Sequence, residues 1–127
     1  MAAATGLDLL VESGFVSLAG TRVGLLAHAG SVDRDLRHAA ILLAGAPGVS
    51  MVRLFAAEHG LFGAAQDMEP VAEATEPFTG LPIVSLYGTS ACTLAPPAGS
   101  LDDLDALVVD LPDVGSRYYT YLATLAL

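Results

Sequence analysis

Four short apolar runs, each delivering a polar or titratable residue at its end, restrict what this chain can fold into. Thr21–Ala27 stops at His28, Val49–Phe55 leads into Glu58-His59, Leu81–Leu86 stops at Tyr87, and Asp105–Asp110 closes on its own aspartate. A strand with one wet face alternates apolar and polar residues; these runs do not. Near-continuous apolarity over a strand's length, without a period of two, marks strands covered on both faces, as in a parallel sheet. Between the first two runs a helix is expected from Ser31 or Asp33 through about Ala44. Asp33 and Asp35 suit its N-terminus, Leu36, Ala39, Ala40, Leu43 and Ala44 share a face, and Gly45 with Pro47-Gly48 stops it. Strand, helix and strand make a right-handed βαβ unit with parallel strands. The expected class is therefore α/β: an open, mainly parallel sheet of about four strands with flanking helices.

With 127 residues the chain is one domain, 1–127, and too short for two. A hydrophobic share of 54% excludes disorder. Every apolar run is broken well before the roughly 18 residues that a membrane span needs. Fourteen acidic against five basic residues give a net charge of −9, spread along the chain with no basic cluster. That surface repels phosphate backbones, and no nucleic-acid partner is expected. Cys92 is the single cysteine, which rules out an internal disulfide and a cysteine metal site.

The remaining segments are less regular. Gly6–Glu12 reads as a short helix. Ala64–Thr79 and Thr89–Gly99 read as loops, and the length of the first marks it as functional or mobile. Leu101–Leu104 is a possible helical turn. After a polar loop to Arg117, Tyr118, Tyr121, Leu122, Leu125 and Ala126 fall on one helical stripe expected to face the core. No cap follows that helix, so the chain is expected to be a truncated piece of a longer protein.

In an open parallel sheet, ligands bind beyond the carboxyl ends of the strands. That rule gathers His28, Glu58, His59, Tyr87 and the segment from Asp110 to Arg117 at one edge. Gly60 beside Glu58-His59 lets a ligand or second loop approach the backbone. Glu58 is a candidate general acid, its pKa expected to rise by desolvation at the end of an apolar strand. Asp110 and Asp113 are candidate partner carboxylates, as base or as nucleophile, because glycoside hydrolysis asks for two carboxyl groups. Arg117 offers a bidentate grip on a substrate carboxylate, or else neutralises Asp110 or Asp113. Asp113 has a second reading as the cap of the last helix. Tyr119, off the apolar stripe, is the tyrosine expected to meet ligand. His28, His59 and Tyr87 are further substrate-contact candidates. A metal site from His28, His59, Glu58 and Asp110 lacks close two-ligand spacing, and the turn Ala27–Ser31 is not the glycine-rich dinucleotide fingerprint, so no metal or other cofactor is expected.

The strings GLDLL (Gly6–Leu10), RVGLL (Arg22–Leu26), VDR (Val32–Arg34), LF..EHGLFG..Q (Leu54–Gln66), TGLPIVSLYG (Thr79–Gly88) and D.PDVGSRYYTY (Asp110–Tyr121) stand in one order. In that order the sequence resembles the N-terminal part of the exo-β-N-acetylmuramidase family, glycoside hydrolases of peptidoglycan fragments once catalogued as a domain of unknown function. The resemblance implies a Rossmann-like domain with its catalytic glutamate at Glu58, and a C-terminal auxiliary domain that closes the cleft. That second domain is absent from these residues, so the piece alone is expected to be inactive. The implied substrate is a peptidoglycan-derived saccharide that yields N-acetylmuramic acid from its non-reducing end, and its lactyl carboxylate would suit Arg117. Ala27-His28, Ala56-Ala57 and Phe62 depart from the family's usual Thr-Asn, Ser-Pro and Arg. The alternative is a non-catalytic sugar-binding or purely structural piece of that fold. The N-terminus lacks a secretion signal, so the chain reads as cytoplasmic as written, whereas the family it resembles is often exported; location stays open.

Overall fold

The computed structural model describes residues 3–117 and 119–127. Its sheet has β1 (Arg22–Ala27) parallel to the central strand β2 (Ser50–Ala56) on one side and to the edge strand β5 (Ala106–Asp110) on the other. Outside β2 lies β4 (Pro82–Ser85), also parallel, and the two-residue β3 (Ala74–Thr75) closes that edge antiparallel, giving the order β3-β4-β2-β1-β5. The four expected strands are present within about two residues of their ends. The fifth, β3, falls in a segment expected as loop. Two residues carry no readable period; they pair antiparallel with β4, and in the turn between the two strands buried Glu76 accepts hydrogen bonds from the N–H groups of Phe78 and Thr79 and from the Thr79 hydroxyl.

The sheet is covered unevenly. On one face Leu25, Ala27, Leu54 and Ala56 pack with Ala39, Ala40 and Leu43 of α2 (Ala39–Ala44) and with Leu7 of α1 (Gly6–Glu12). On the other, Leu26, Phe55 and Leu86 form a smaller cluster under Leu104, Val109 and Leu111. Gly24 marks a close approach on that face: a Cβ there would lie 2.6 Å from Leu104 and 3.0 Å from the Phe55 ring. The β1–β2 register shifts at the same point, between Val23 and Gly24.

Two helices differ from expectation. α2 starts at Ala39, well after Ser31 or Asp33, because Asp33 does not cap it. Its Oδ1 instead accepts from the N–H groups of Asp35 and Arg37, and its Oδ2 from the Arg37 guanidinium. Leu36 takes a left-handed φ of 61° inside this knot, and a Val32–His38 bridge closes it. His38 is the actual N-cap, its Nδ1 accepting from the Ala40 N–H. α3 spans Tyr121–Ala126, and Tyr118, expected on its stripe, lies outside the described residues. Tyr121 and Thr124 are the buried positions, while Leu122 and Leu125 are exposed, so the stripe does not face the core. Polar bonds from the start of the helix to the Glu58 turn set its rotation instead.

Candidate functional site

Beyond the carboxyl end of β2 the chain turns sharply through Ala57–Gly60, with the Gly60 N–H bonded to the Ala57 carbonyl. His59 and Gly60 both sit in the left-handed region, at φ of 68° and 76°. For glycine that costs little; for histidine it is strain that the surrounding turn must hold. The ring helps, because His59 Nδ1 donates to the Ala65 carbonyl at 3.2 Å, which leaves Nε2 unused by that bond.

The turn carries Glu58 into a cleft of about 420 Å³. Its lining is Glu58, His59, Asp67, Met68, Tyr87, Tyr119, Thr120 and Tyr121. Glu58 itself is only 6% exposed. Thr120 Oγ1 donates to its Oε2 at 2.6 Å, and the Met68 N–H approaches its Oε1 at 3.5 Å. The Tyr121 hydroxyl donates to the Glu58 main-chain carbonyl at 3.3 Å. Tyr119 packs edge-on to Tyr121 with ring centroids 4.9 Å apart.

Burial pushes the Glu58 carboxyl up, as expected, but it is outweighed. Hydrogen bonds from the Thr120 hydroxyl, the Tyr87 phenol and the Met68 N–H, with the charge of His59, hold the pKa below its ordinary value. The expected rise is thus corrected: in this cleft Glu58 is ionised at neutral pH. The same contact with Glu58, then burial, then the charges of Glu58 and Asp67, pushes the Tyr87 phenol up and keeps it a donor.

His28 and Asp110 meet each other, away from this cleft. They flank neighbouring strands, with Ala27 opposite Asp110 in the register. Buried Ser31 ties them together, its hydroxyl accepting from the His28 N–H and donating to the Asp110 carbonyl at 2.6 Å. His28 Nδ1 accepts from the Gly30 N–H, and the ring tilts against Tyr121 at 5.6 Å. Burial lowers the His28 pKa, Asp110 opposes that, and His38 adds to it. Burial also raises the Asp110 pKa, against the pull of His28 and His38. Tyr121 therefore stands between two clusters.

Of the expected residues, Glu58, His59, Tyr87 and Tyr119 are brought together; His28 touches the cleft only through Tyr121. Asp110, Asp113 and Arg117 do not line it. Asp113 is exposed and accepts from the Gly115 N–H at 2.8 Å, a local turn, and the N-cap of α3 is Thr120 rather than Asp113. Arg117 is exposed and, among the described residues, ion-pairs with neither aspartate. Thr120, Asp67 and Met68 are the lining residues that sequence reasoning missed. The signals were slight: Thr120 sits among tyrosines, and Asp67 and Met68 fall in the loop whose length alone marked it. Among the described residues no three His, Cys, Asp or Glu side chains are grouped to hold a metal ion, and no helix is long and apolar enough to cross a membrane.

Comparison with known proteins bears on this geometry. The family described as exo-beta-N-acetylmuramidase NamZ, N-terminal, matches residues 23–127. The peptidoglycan beta-N-acetylmuramidase NamZ of Bacillus subtilis (strain 168) is 36% identical over 122 residues, covering 96% of this chain and 29% of that protein. A crystal structure of a DUF1343 family protein from Bacteroides fragilis NCTC 9343 superposes with a TM-score of 0.83 at 38% identity, covering 97% of this chain and 29% of the other. A second DUF1343 protein of that organism gives 0.70 at 27% identity, over 96% and 29%. This chain spans under a third of the length of each.

Proposed function

Because this chain belongs to the exo-β-N-acetylmuramidase NamZ family, whose N-terminal part it matches, we propose that it carries the catalytic wall of a peptidoglycan glycosidase, with Glu58 as general acid. One observation carries the reading: a nearly buried carboxylate at the end of β2 faces a cleft walled by tyrosines. Tyrosine rings suit the apolar faces of sugars, and their hydroxyls suit the polar edges. The substrate is a peptidoglycan-derived saccharide that loses N-acetylmuramic acid from its non-reducing end.

The lowered pKa of Glu58 sets a condition on that chemistry. A general acid must hold its proton before it gives it up. Bound substrate and a second wall remove water from the carboxylate and move its pKa upward, toward the working range. The second wall is assigned to the length that the relatives have beyond the matched part, so this chain alone supplies half of a composite site. Asp67, which shares the cleft, takes the place of Asp110 and Asp113 as partner carboxylate. Muramic acid is an anion, and a cleft lined by Glu58 and Asp67 repels it; Arg117, on the exposed loop before Tyr119, is the cation assigned to offset this.

The test is release of N-acetylmuramic acid from a chromogenic β-N-acetylmuramide, by this chain and by a form extended to the relatives' length. Activity is expected in the extended form, and Glu58→Gln is expected to lower kcat by about 10²- to 10⁴-fold. Unchanged hydrolysis in that variant rejects Glu58 as the acid. A second reading, sugar binding without turnover, is favoured by the ionised state of Glu58, since a carboxylate accepts from sugar hydroxyls. It predicts binding without hydrolysis in both forms.

A further inference from the structure

Thr120 is the N-cap residue of α3, yet its side chain caps nothing. A threonine at this position ordinarily turns its hydroxyl onto a free N–H of the first helical turn. Here the residue keeps a helical backbone, φ −84° and ψ −12°, and the hydroxyl reaches 62 residues back along the chain to Glu58 Oε2. Tyr121, the next residue, takes hold of the Glu58 carbonyl. The start of one short helix thus forgoes its own cap and directs two long-range hydrogen bonds to one glutamate. A local rule broken in this way is characteristic of functional sites.

The two carboxylate oxygens are held unequally. Oε2 receives a hydroxyl at 2.6 Å, a short charge-assisted bond; Oε1 has the Met68 N–H at 3.5 Å, near the limit of a hydrogen bond, and the Tyr87 phenol faces the carboxyl as a looser third donor. We propose that Thr120 is a positioning residue: by fixing Oε2 it presents Oε1 as the oxygen that delivers the proton to the scissile glycosidic bond. This rests on the reading of Glu58 as the acid. In the step, the proton passes from Oε1 to the glycosidic oxygen. The electron pair of the bond from that oxygen to the anomeric carbon leaves with it; water adds to the carbon and gives its proton to the Asp67 carboxylate, the partner proposed above, and exchange with solvent returns a proton to Glu58. Glu58 gains negative charge along the way, so the bond from Thr120 strengthens as the proton moves and favours the transition state over the ground state.

The test separates the hydroxyl from the shape of the side chain. Thr120→Val keeps the shape and removes the donor; Thr120→Ser keeps the donor. The first measurement is the carbon NMR titration of the Glu58 carboxyl in this chain, with amide spectra to show that each variant is folded. The Val variant is expected to titrate at higher pH than the wild type and the Ser variant close to it. If folded Val and Ser variants titrate alike, the proposal is overturned. The second is hydrolysis by the extended form, where Thr120→Val is expected to lower kcat by about ten- to a hundredfold with little change in KM, and Thr120→Ser to restore it. A change confined to KM also overturns the positioning role. Failure of the acid assignment shows differently: Glu58→Gln would keep its activity while the Thr120→Val titration still moved.

Discussion

Glu58 and Asp110 are both carboxylates at strand ends of one sheet, with Tyr121 between their clusters, and they are shifted in opposite directions. Glu58 is the less exposed of the two, and burial pushes both upward. What differs is the supply of donors. Glu58 faces the Thr120 hydroxyl, the Tyr87 phenol and the Met68 N–H. The Asp110 side chain has no hydrogen-bond donor among the described residues, and the Ser31 hydroxyl goes to its main-chain carbonyl instead. Desolvation therefore decides for Asp110 and hydrogen bonding decides for Glu58. Burial at a strand end does not fix the state of a carboxyl group; the neighbouring elements do.

The sharpest way to break this contrast is to neutralise each candidate partner carboxylate in the extended form. Asp67→Asn is expected to lower kcat by about a hundredfold or more, the effect expected of the partner carboxylate proposed above, and Asp110→Asn by less than about tenfold. Comparison of the two rates checks this, and the reverse order would return the partner role to Asp110.

A smaller effect appears in stability against pH, with opposite signs. Glu58, lowered in the fold, stabilises it above its unfolded pKa, and that contribution is lost as pH falls through the lowered folded value. Asp110, raised in the fold, does the reverse: stability falls as pH rises from its unfolded pKa through the raised folded value. Urea midpoints across the acid range should show Glu58→Gln flattening the loss on acidification. Asp110→Asn should flatten the loss on raising the pH. The smallest effect is that of Tyr121→Phe, which keeps the ring against His28 and Tyr119 but removes the donor to the Glu58 carbonyl. A loss of about 0.5–1.5 kcal/mol in urea unfolding is expected.

The resemblance and the strand plan were legible because they are written in contiguous residues. Apolar runs announce β1, β2, β4 and β5, and EHG, LPIVSLYG and DVGSRYYTY stand unbroken in the chain. The start of α2 was not legible, since a helix stripe reads the same whether Asp33 caps it or folds back onto Arg37. The rotation of α3 was not legible either. Leu122 and Leu125 satisfy the apolar stripe, while the contacts that orient the helix are made by Thr120 and Tyr121 to a glutamate far off in sequence.

The sequence by itself determined the α/β class, the parallel pairing of the four main strands and the delivery of Glu58 and His59 to a strand's carboxyl end. These follow from local apolarity and from the handedness of βαβ crossovers. Only the tertiary structure decided that Glu58 is ionised, that Asp67 shares its cleft while Asp110 and Asp113 do not, and that Thr120 holds one of its oxygens. Each of these depends on which groups from distant segments meet in space, and the balance between desolvation and hydrogen bonding is struck only there.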